Sequence, residues 1–197
     1  MMELMPIPAI ILAAGESRRL GRPKQLVRMG GETLLDRTFR IVREAGAFPI
    51  LVVLGANQEA ILGESTFESA RVVSNPNWRT GVSSSICAGI HALQELLPAP
   101  EAAMILVCDQ PGLSTEHLLR LLYAHTSCGH AKIVASYYAG VAGIPAIFPA
   151  HFFPALLSLR ADTGARSLLR DPRNPIETIP FEQGEWDIDA PTDLLGL

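Results

Sequence analysis

AIILAAGESRRLGRPKQL, Ala9 to Leu26, is the stretch on which the fold turns. Ala9 to Ala13 form an unbroken apolar run of strand length, and such non-alternating runs belong to strands covered on both faces. The run ends in a Gly-rich loop from Ala14 to Gly21. Beyond it, Thr33, Leu34, Leu35, Phe39 and Val42 recur at helical spacing until Ala45-Gly46 closes the segment. Ile50 to Leu54 is a second buried strand, stopped by Gly55. Strand, helix and strand in this order predict a βαβ unit and a parallel sheet.

The same alternation continues through the chain. Arg71 to Ser74 suits a short strand, Ser83 to Leu97 a helix, Ala103 to Cys108 a strand and Thr115 to His125 a helix. Lys132 to Ser136 and Pro145 to Phe148 read as strands, Ala150 to Leu159 and Gly164 to Arg170 as helices, and Ile176 to Ile179 as a last strand. Pro98/Pro100 and Pro172/Pro175 punctuate loops inside the domain. The expected fold class is α/β: a doubly wound, mostly parallel sheet, Rossmann-like, in a single domain over residues 1–197. Ligands in such sheets bind beyond the carboxyl ends of the strands.

Composition narrows the function. No apolar run is long enough to span a bilayer, and the N-terminus lacks a basic region followed by a long apolar stretch, so neither a membrane span nor a secretory signal is expected. Cys87, Cys108 and Cys128 form no CxxC pair and are odd in number, which fits reduced thiols in a cytoplasmic protein. A formal charge of −4 argues against a general nucleic-acid binder. Yet Arg18, Arg19, Arg22, Lys24 and Arg28 gather five of the sixteen basic residues in one short stretch, which suits a small polyanion. The five histidines have no ligand-like spacing and read as structural or solvated.

Four segments carry chemistry. In Leu12 to Leu26, Ala13, Ala14 and Gly15 let backbone N–H groups approach a phosphate, and Arg19 and Lys24 can neutralise a triphosphate. The loop is neither a Walker A sequence nor GxGxxG, and the missing GxGxxG speaks against a dehydrogenase. In NPNWRTGVSSSICAGI, Asn75 to Ile90, Ser83, Ser84 and Ser85 offer a helix N-cap and exposed donors, and Gly89 permits close approach on the next turn. Trp78 fits either core packing or contact with an acceptor. Val107-Cys108-Asp109-Gln110-Pro111 ends an apolar strand in a carboxylate placed either to hold Mg²⁺ or to cap a turn. In WDIDAPTDL, Trp186 to Leu194, Asp187 and Asp189 alternate, so on a strand both would face one cation. Asp193 reads as a cap of the terminal helix.

These motifs resemble those of the nucleotidyltransferases that act on molybdenum cofactor, whose patterns LAAGxSxRMGxxK, NPxWxxGMxSSLxxG, CDQP and DxDTPxDL are matched with Leu20, Val82, Ile86 and Ala190 as substitutions. The likeness runs from Ile10 to Leu194 and implies a GT-A-like nucleotidyltransferase fold. It implies nucleotide contacts at Leu12, Ala13, Ala14, Gly15, Arg19, Lys24, Ser85 and Gly89, and catalytic roles for Lys24, Arg19 and Asp109. A metal would sit at Asp109 and Asp189, with Asp187 the reserve ligand. Gly143-Ile144-Pro145 resembles a G-H-P turn and Ala161 to Arg166 a G-D-x-G-A-R segment, which sets Asp162 and Arg166 on the acceptor side, with capping and surface roles as alternatives. LAAG is similar to the cytidylyltransferase branch, where guanylyltransferases carry LAGG.

The resemblance therefore implies transfer of CMP from CTP to molybdopterin cofactor, with release of pyrophosphate, supported by Mg²⁺ or alternatively Mn²⁺. A transient contact with a molybdoenzyme, and none with nucleic acid or membrane, goes with it. The rivals are a guanylyltransferase using GTP on the same acceptor, a sugar-phosphate nucleotidyltransferase, and a non-catalytic chaperone of molybdenum cofactor.

Overall fold

Ala9–Leu12 forms the first strand, β1, and each of its residues is buried. The computed structural model describes residues 6–196. After β1 come a short hairpin of β2 (Arg28–Met29) and β3 (Glu32–Thr33), then α1 (Leu34–Glu44), β4 (Ile50–Leu54), α2 (Gln58–Glu64) and β5 (Arg71–Ser74). The chain continues through α3 (Val82–Leu96), β6 (Ala102–Val107), α4 (Thr115–Ser127), β7 (Ile133–Tyr138) and β8 (Val141–Pro149). It ends with α5 (Phe153–Leu157), α6 (Arg166–Arg170), β9 (Ile176–Pro180) and a 3-10 helix at Pro191–Gly196.

Seven strands form one sheet in the order β5-β4-β1-β6-β8-β7-β9. β1 lies parallel between β4 and β6, with Ala9 opposite both Ile50 and Met104. Alternate side chains of β1 enter opposite layers. Ala9 and Ile11 join the layer built on α1, α2 and α4, through Leu35, Ile61 and Leu118 among others. Ile10 and Leu12 join the layer built on α3, α5 and α6, through Ile86, Leu156 and Leu169. The sheet is therefore wound on both faces.

From β1 the chain moves outward to β4 and β5, then returns to the other side of β1 as β6. That reversal opens a crevice beyond the carboxyl ends of β1 and β6, the place where such sheets bind ligands. The loop after β1 and the Cys108–Pro111 turn after β6 flank it.

Local chemistry explains the boundaries. Thr33 caps α1 by accepting from the Asp36 N–H at 3.0 Å, while its hydroxyl donates to the Asp36 carboxylate at 2.7 Å. Gly46, at φ 83°, ends the helix in the left-handed conformation that a side chain would strain.

Several segments differ from the sequence expectation. α2 and the β2–β3 hairpin were not anticipated, because seven residues with one fully buried apolar position, Ile61, and two-residue strands leave little periodicity. Pro145 to Phe148 lies inside the longer β8, which runs antiparallel to both neighbours and shifts register at Ala135/Ser136. Gly143-Ile144-Pro145 is thus strand, not a turn. The helix expected over Ala150 to Leu159 divides into a 3-10 turn, Ala150–Phe152, and the short α5. Gly89 is not open to a ligand: it lies where α3 crosses β1, and a Cβ there would come within 2.5 Å of Ile10 Cγ2.

Of the five histidines, His117 and His125 are buried in the packing and the other three are exposed. His117 is buried, stacks on Phe181 at 4.2 Å between ring centroids, and its Nε2 lies 2.7 Å from Ser136 Oγ. Burial, and secondarily Arg120, pushes its pKa down to about 4. Burial and then His130 do the same to His125, also to about 4.

Two outcomes follow from this packing. Gly89→Ala forces α3 away from the sheet and lowers the unfolding free energy by about 1–3 kcal/mol in a urea titration, the usual cost of overpacking a core. For His117 and His125, the unfolded chain takes protons below pH ~6.5 that the buried rings refuse, so their contribution is complete above that pH and is lost as pH falls towards 4. Asp187, raised to about 6 by burial, opposes them over part of this interval, being stabilising at low pH and less so as pH rises. Two histidines outweigh one carboxyl, so the thermal midpoint should drop between pH 6.5 and 4.5, and His117→Gln should flatten that drop.

Candidate active site

The loop after β1 is shaped by its own side chains. Ser17, at φ 59°, accepts backbone N–H bonds from Leu20 and Gly21, and its hydroxyl accepts from the Lys24 N–H at 3.1 Å. Gln25 is fully buried, and its amide donates to the Ala13 carbonyl at 2.7 Å and the Gly15 carbonyl at 2.9 Å. Sequence reasoning missed Gln25. A polar residue directly after Pro23-Lys24 gives no sign that it folds inward to staple the loop.

This closure turns Lys24 towards the crevice. Its ammonium donates to Asp109 Oδ2 in a very short contact and to Asp189 Oδ1 at 3.1 Å. Asp189 Oδ2 accepts from Arg19 at 2.8 Å. Burial alone would push the Lys24 pKa down, but the charge and hydrogen bond of Asp109, with smaller effects from Cys108 and Asp189, hold it above the ordinary lysine value. Lys24 is thus a fixed positive charge and not a proton acceptor near neutral pH.

Asp187 and Asp189 do converge, although residues 186–189 belong to no strand of the sheet. The Ile188 N–H donates to the Asp109 carbonyl at 2.9 Å, and its side chain is buried with Leu20, Val27 and Leu34. With Ile188 anchored inward, the carboxylates on either side face Asp109 and Lys24. Asp193 Oδ2 accepts from the Asp189 and Ala190 N–H groups at 2.9 and 2.7 Å. This is the reaching-back half of a capping box, so Asp193 caps as expected and also fixes Asp189. Burial, then Asp109 and Asp189, raises the Asp187 carboxyl to about 6.

Two contiguous cavities meet at Asp109. The larger, about 590 Å³, is lined by Ala14 to Arg19, Lys24, Trp78, Arg79 and Ser85. The smaller, about 250 Å³, has an apolar floor that includes Ile86, Ile105 and Ile144, and a polar side of Gln110, Asp162, Arg166 and Asp187. Leu12, Val82, Val107, Asp109 and Asp162 border both. A Cβ added at Gly15 would meet nothing within 4 Å, so the backbone there is open to close approach.

Most of the expected residues are brought together, but not all. Ala13 is buried in the core and donates its N–H to the Val53 carbonyl, so it lines neither cavity. Gly89 serves helix-to-sheet packing. Ser83 and Ser85 are buried within α3 instead of capping it, because the N-cap is Gly81. Asn75 donates to Ser84 Oγ at 2.9 Å and Ser85 Oγ at 3.0 Å, tying the segment after β5 to α3. Trp78 packs on Gly55, carries the Arg79 guanidinium 4.4 Å above its ring, and lines the larger cavity. Arg18 lines the larger cavity while paired with Glu16, whereas Arg28 lies 3.9 Å from Glu64 and lines neither cavity. Among the described residues, no helix is long and apolar enough to cross a membrane.

Comparison with known proteins agrees with this architecture. A nicotine blue oxidoreductase from Paenarthrobacter nicotinovorans is 32% identical over 177 residues, 85% of this chain and 83% of that protein. A probable molybdenum cofactor guanylyltransferase from Opitutus terrae is 33% identical over 163 residues, 81% of this chain and 74% of that one. The crystal structure of Rv0371c from Mycobacterium tuberculosis H37Rv in complex with manganese superimposes with a TM-score of 0.81 at 25% identity, covering 98% of both chains. Residues 9–177 match the model of the MobA-like NTP transferase domain. The sheet, its reversal point and that match place the chain in one family: it belongs to the MobA-like NTP transferase domain family and is a nucleotidyltransferase.

Proposed function

We propose that this chain transfers CMP from CTP to the molybdenum cofactor and releases pyrophosphate, with residues 1–197 acting as one domain in the cytoplasm. The observation that carries the reading is the meeting of two cavities at Asp109 and Lys24, one edged with basic residues and open backbone, the other apolar with a polar side. The larger suits a nucleoside triphosphate. Arg19, Lys24 and the backbone at Ala14 and Gly15 face its phosphates, and Ser85 and Trp78 lie along its wall. The smaller suits the acceptor, with Asp162 and Arg166 at its rim. The name of the Opitutus relative supports a molybdenum cofactor substrate, and Ala14, in the LAAG sequence, favours cytidine over guanosine.

In this reading a phosphate oxygen of the acceptor forms a bond to the α-phosphorus of CTP as the bond from that phosphorus to pyrophosphate breaks. A phosphate monoester is already anionic near neutral pH, so no side chain has to remove a proton. The protein orients the two reactants and supplies charge where it develops. Lys24, permanently protonated, and Arg19 stabilise the triphosphate and the departing pyrophosphate. Before the nucleotide arrives, both are held by Asp109 and Asp189 and so pre-positioned.

A divalent cation fits the residues present. Asp109 Oδ1 and Asp187 Oδ1 are buried and have no hydrogen-bond partner, and carboxylate oxygens are the donors that Mg²⁺ and Mn²⁺ prefer. Asp109 would hold it together with a carboxylate of the Asp187–Asp189 segment, Mg²⁺ being the proposed ion. When bound, the cation neutralises phosphate charge.

Two measurements test the reading. Pyrophosphate release with molybdenum-loaded pterin should be faster with CTP than with GTP. A preference for GTP would assign the chain to the guanylyl branch, and tight pterin binding without turnover would favour a carrier role. Redox turnover of nicotine blue, without pyrophosphate release, would instead favour the activity named for the Paenarthrobacter relative. Lys24→Ala should stay folded, because water entering the crevice can solvate Asp109, while turnover falls by about 10²–10³-fold, as for loss of one preorganised charge donor. Near-native turnover would rule out the role given to Lys24.

A further inference from the structure

The three carboxylates gathered around Lys24 are not equivalent. Asp189 has both oxygens engaged, Oδ1 by Lys24 and Oδ2 by Arg19, and its backbone is fixed by Asp193. Asp109 gives Oδ2 to Lys24 and keeps Oδ1 buried without a partner. Asp187 Oδ1 is likewise buried and unpartnered.

A separate observation concerns Gln110, which is only 3% exposed. Its amide nitrogen donates to the Gly184 carbonyl at 3.0 Å and lies 3.4 Å from the Ile144 carbonyl and from Tyr138 Oη. Two carbonyls as neighbours fix the orientation of the amide, so the oxygen is the end left over, and Oε1 has no partner. Asp109, Gln110 and Asp187 all line the smaller cavity, and among the described residues three of the six buried side-chain atoms without a partner belong to them. Buried acceptors are rarely left unmatched, because each costs about 1–3 kcal/mol. Three acceptors bordering one cavity call for a cation or a donor from outside the chain.

We propose that the divalent cation is gripped by Asp109 and Asp187, with Gln110 Oε1 bordering the same space, and that Asp189 is instead the counter-ion that positions Lys24 and Arg19. The C-terminal WDID segment thus divides its labour: its first carboxylate serves the metal and its second serves the basic side chains. This reverses the order in which the sequence ranks Asp189 and Asp187. Among the described residues, no group of three or more His, Cys, Asp or Glu is arranged to hold a metal. Two carboxylates nevertheless suffice when phosphate oxygens and water complete an octahedral shell, the usual arrangement at Mg²⁺-nucleotide sites.

Gln110 and Ile188 position the pair. The Gln110 bond to Gly184 and the Ile188 bond to the Asp109 carbonyl hold the Asp187 segment against the end of β6. The metal assignment rests on the nucleotidyl-transfer reading only in taking a divalent cation as partner.

The test is Mn²⁺ binding to the full chain, followed by the electron paramagnetic resonance of free Mn²⁺, with and without a non-hydrolysable CTP analogue. Asp187→Asn should weaken Mn²⁺ binding in the nucleotide complex by at least about tenfold, the smallest loss common even for an outer partner of a metal site. Asp189→Asn should change it less than about threefold, well short of that loss, while weakening the metal-free analogue. Asp187→Ala provides a second variant in which no amide oxygen can substitute, and its loss should be larger still. An equal or greater Mn²⁺ loss in Asp189→Asn, or unchanged binding in both Asp187 variants, would overturn the assignment. Mn²⁺ binding through Asp187 in a chain that turns over no CTP would leave it standing and would sink the transfer reading alone.

Discussion

The ammonium of Lys24, shared between Asp109 and Asp189, is the interaction on which the site depends. It joins three parts of the chain: the loop after β1, the end of β6, and a C-terminal segment outside the sheet. Bringing two carboxylates and a third neighbour, Asp187, to one place is electrostatically unfavourable without that charge. Removing one partner of a buried ion pair commonly costs more than the pair gains. Here the partners remain partly exposed, and the space around them is the space a substrate needs. The pair therefore holds the site open and charged before a substrate enters.

The sheet prepares this meeting. β1 and β6 are neighbours because the chain reverses between β5 and β6, so a lysine fifteen residues after Ala9 and the carboxylate ending β6 reach one crevice. The two faces of β1 are committed to different helical layers, leaving only its carboxyl end free to carry chemistry. Gly89 belongs to this economy of space: it lets α3 lie close to β1, and that closeness places the start of α3, with Val82 and Ser85, against the crevice.

The central strands were legible because four to six apolar residues in a row, bounded by Gly or Asp, leave few alternatives. Ile50–Leu54 matches the sequence expectation residue for residue, and so does the edge strand Arg71–Ser74, although it has only two apolar residues. The sequence marks only the Pro145–Phe148 part of β8 and not its antiparallel course, since the direction of a strand leaves no mark on its composition. Lys24, Asp109 and Asp189 are legible through the resemblance of their motifs to those of the family, since a lone Asp at a strand end reads equally as a turn cap. Gln25 and Gln110 are not, because an amide that hydrogen-bonds backbone carbonyls looks in sequence like any surface glutamine. The serine cluster at the start of α3 misleads only as a cap: Gly81 takes that position, and Ser84 and Ser85 accept from Asn75 while Ser85 still lines the larger cavity. The different standing of Asp187 and Asp189 is set by which oxygens Arg19 and Lys24 already occupy, which no spacing encodes.

The small apolar knot of Leu20, Val27, Leu34 and Ile188 has a consequence for how the molecule matures. Every strand of the sheet is complete by Pro180, and the knot, together with the bonds from Lys24 and Arg19 to Asp189, ties the residues that follow to the loop bearing Lys24. A chain still emerging from the ribosome can thus fold its sheet and both helical layers while two of the three carboxylates are absent. Competence would arrive last, when Ile188 docks. Until then the crevice is a basic mouth without its acidic counterweight, able to attract phosphate but not to hold it in register.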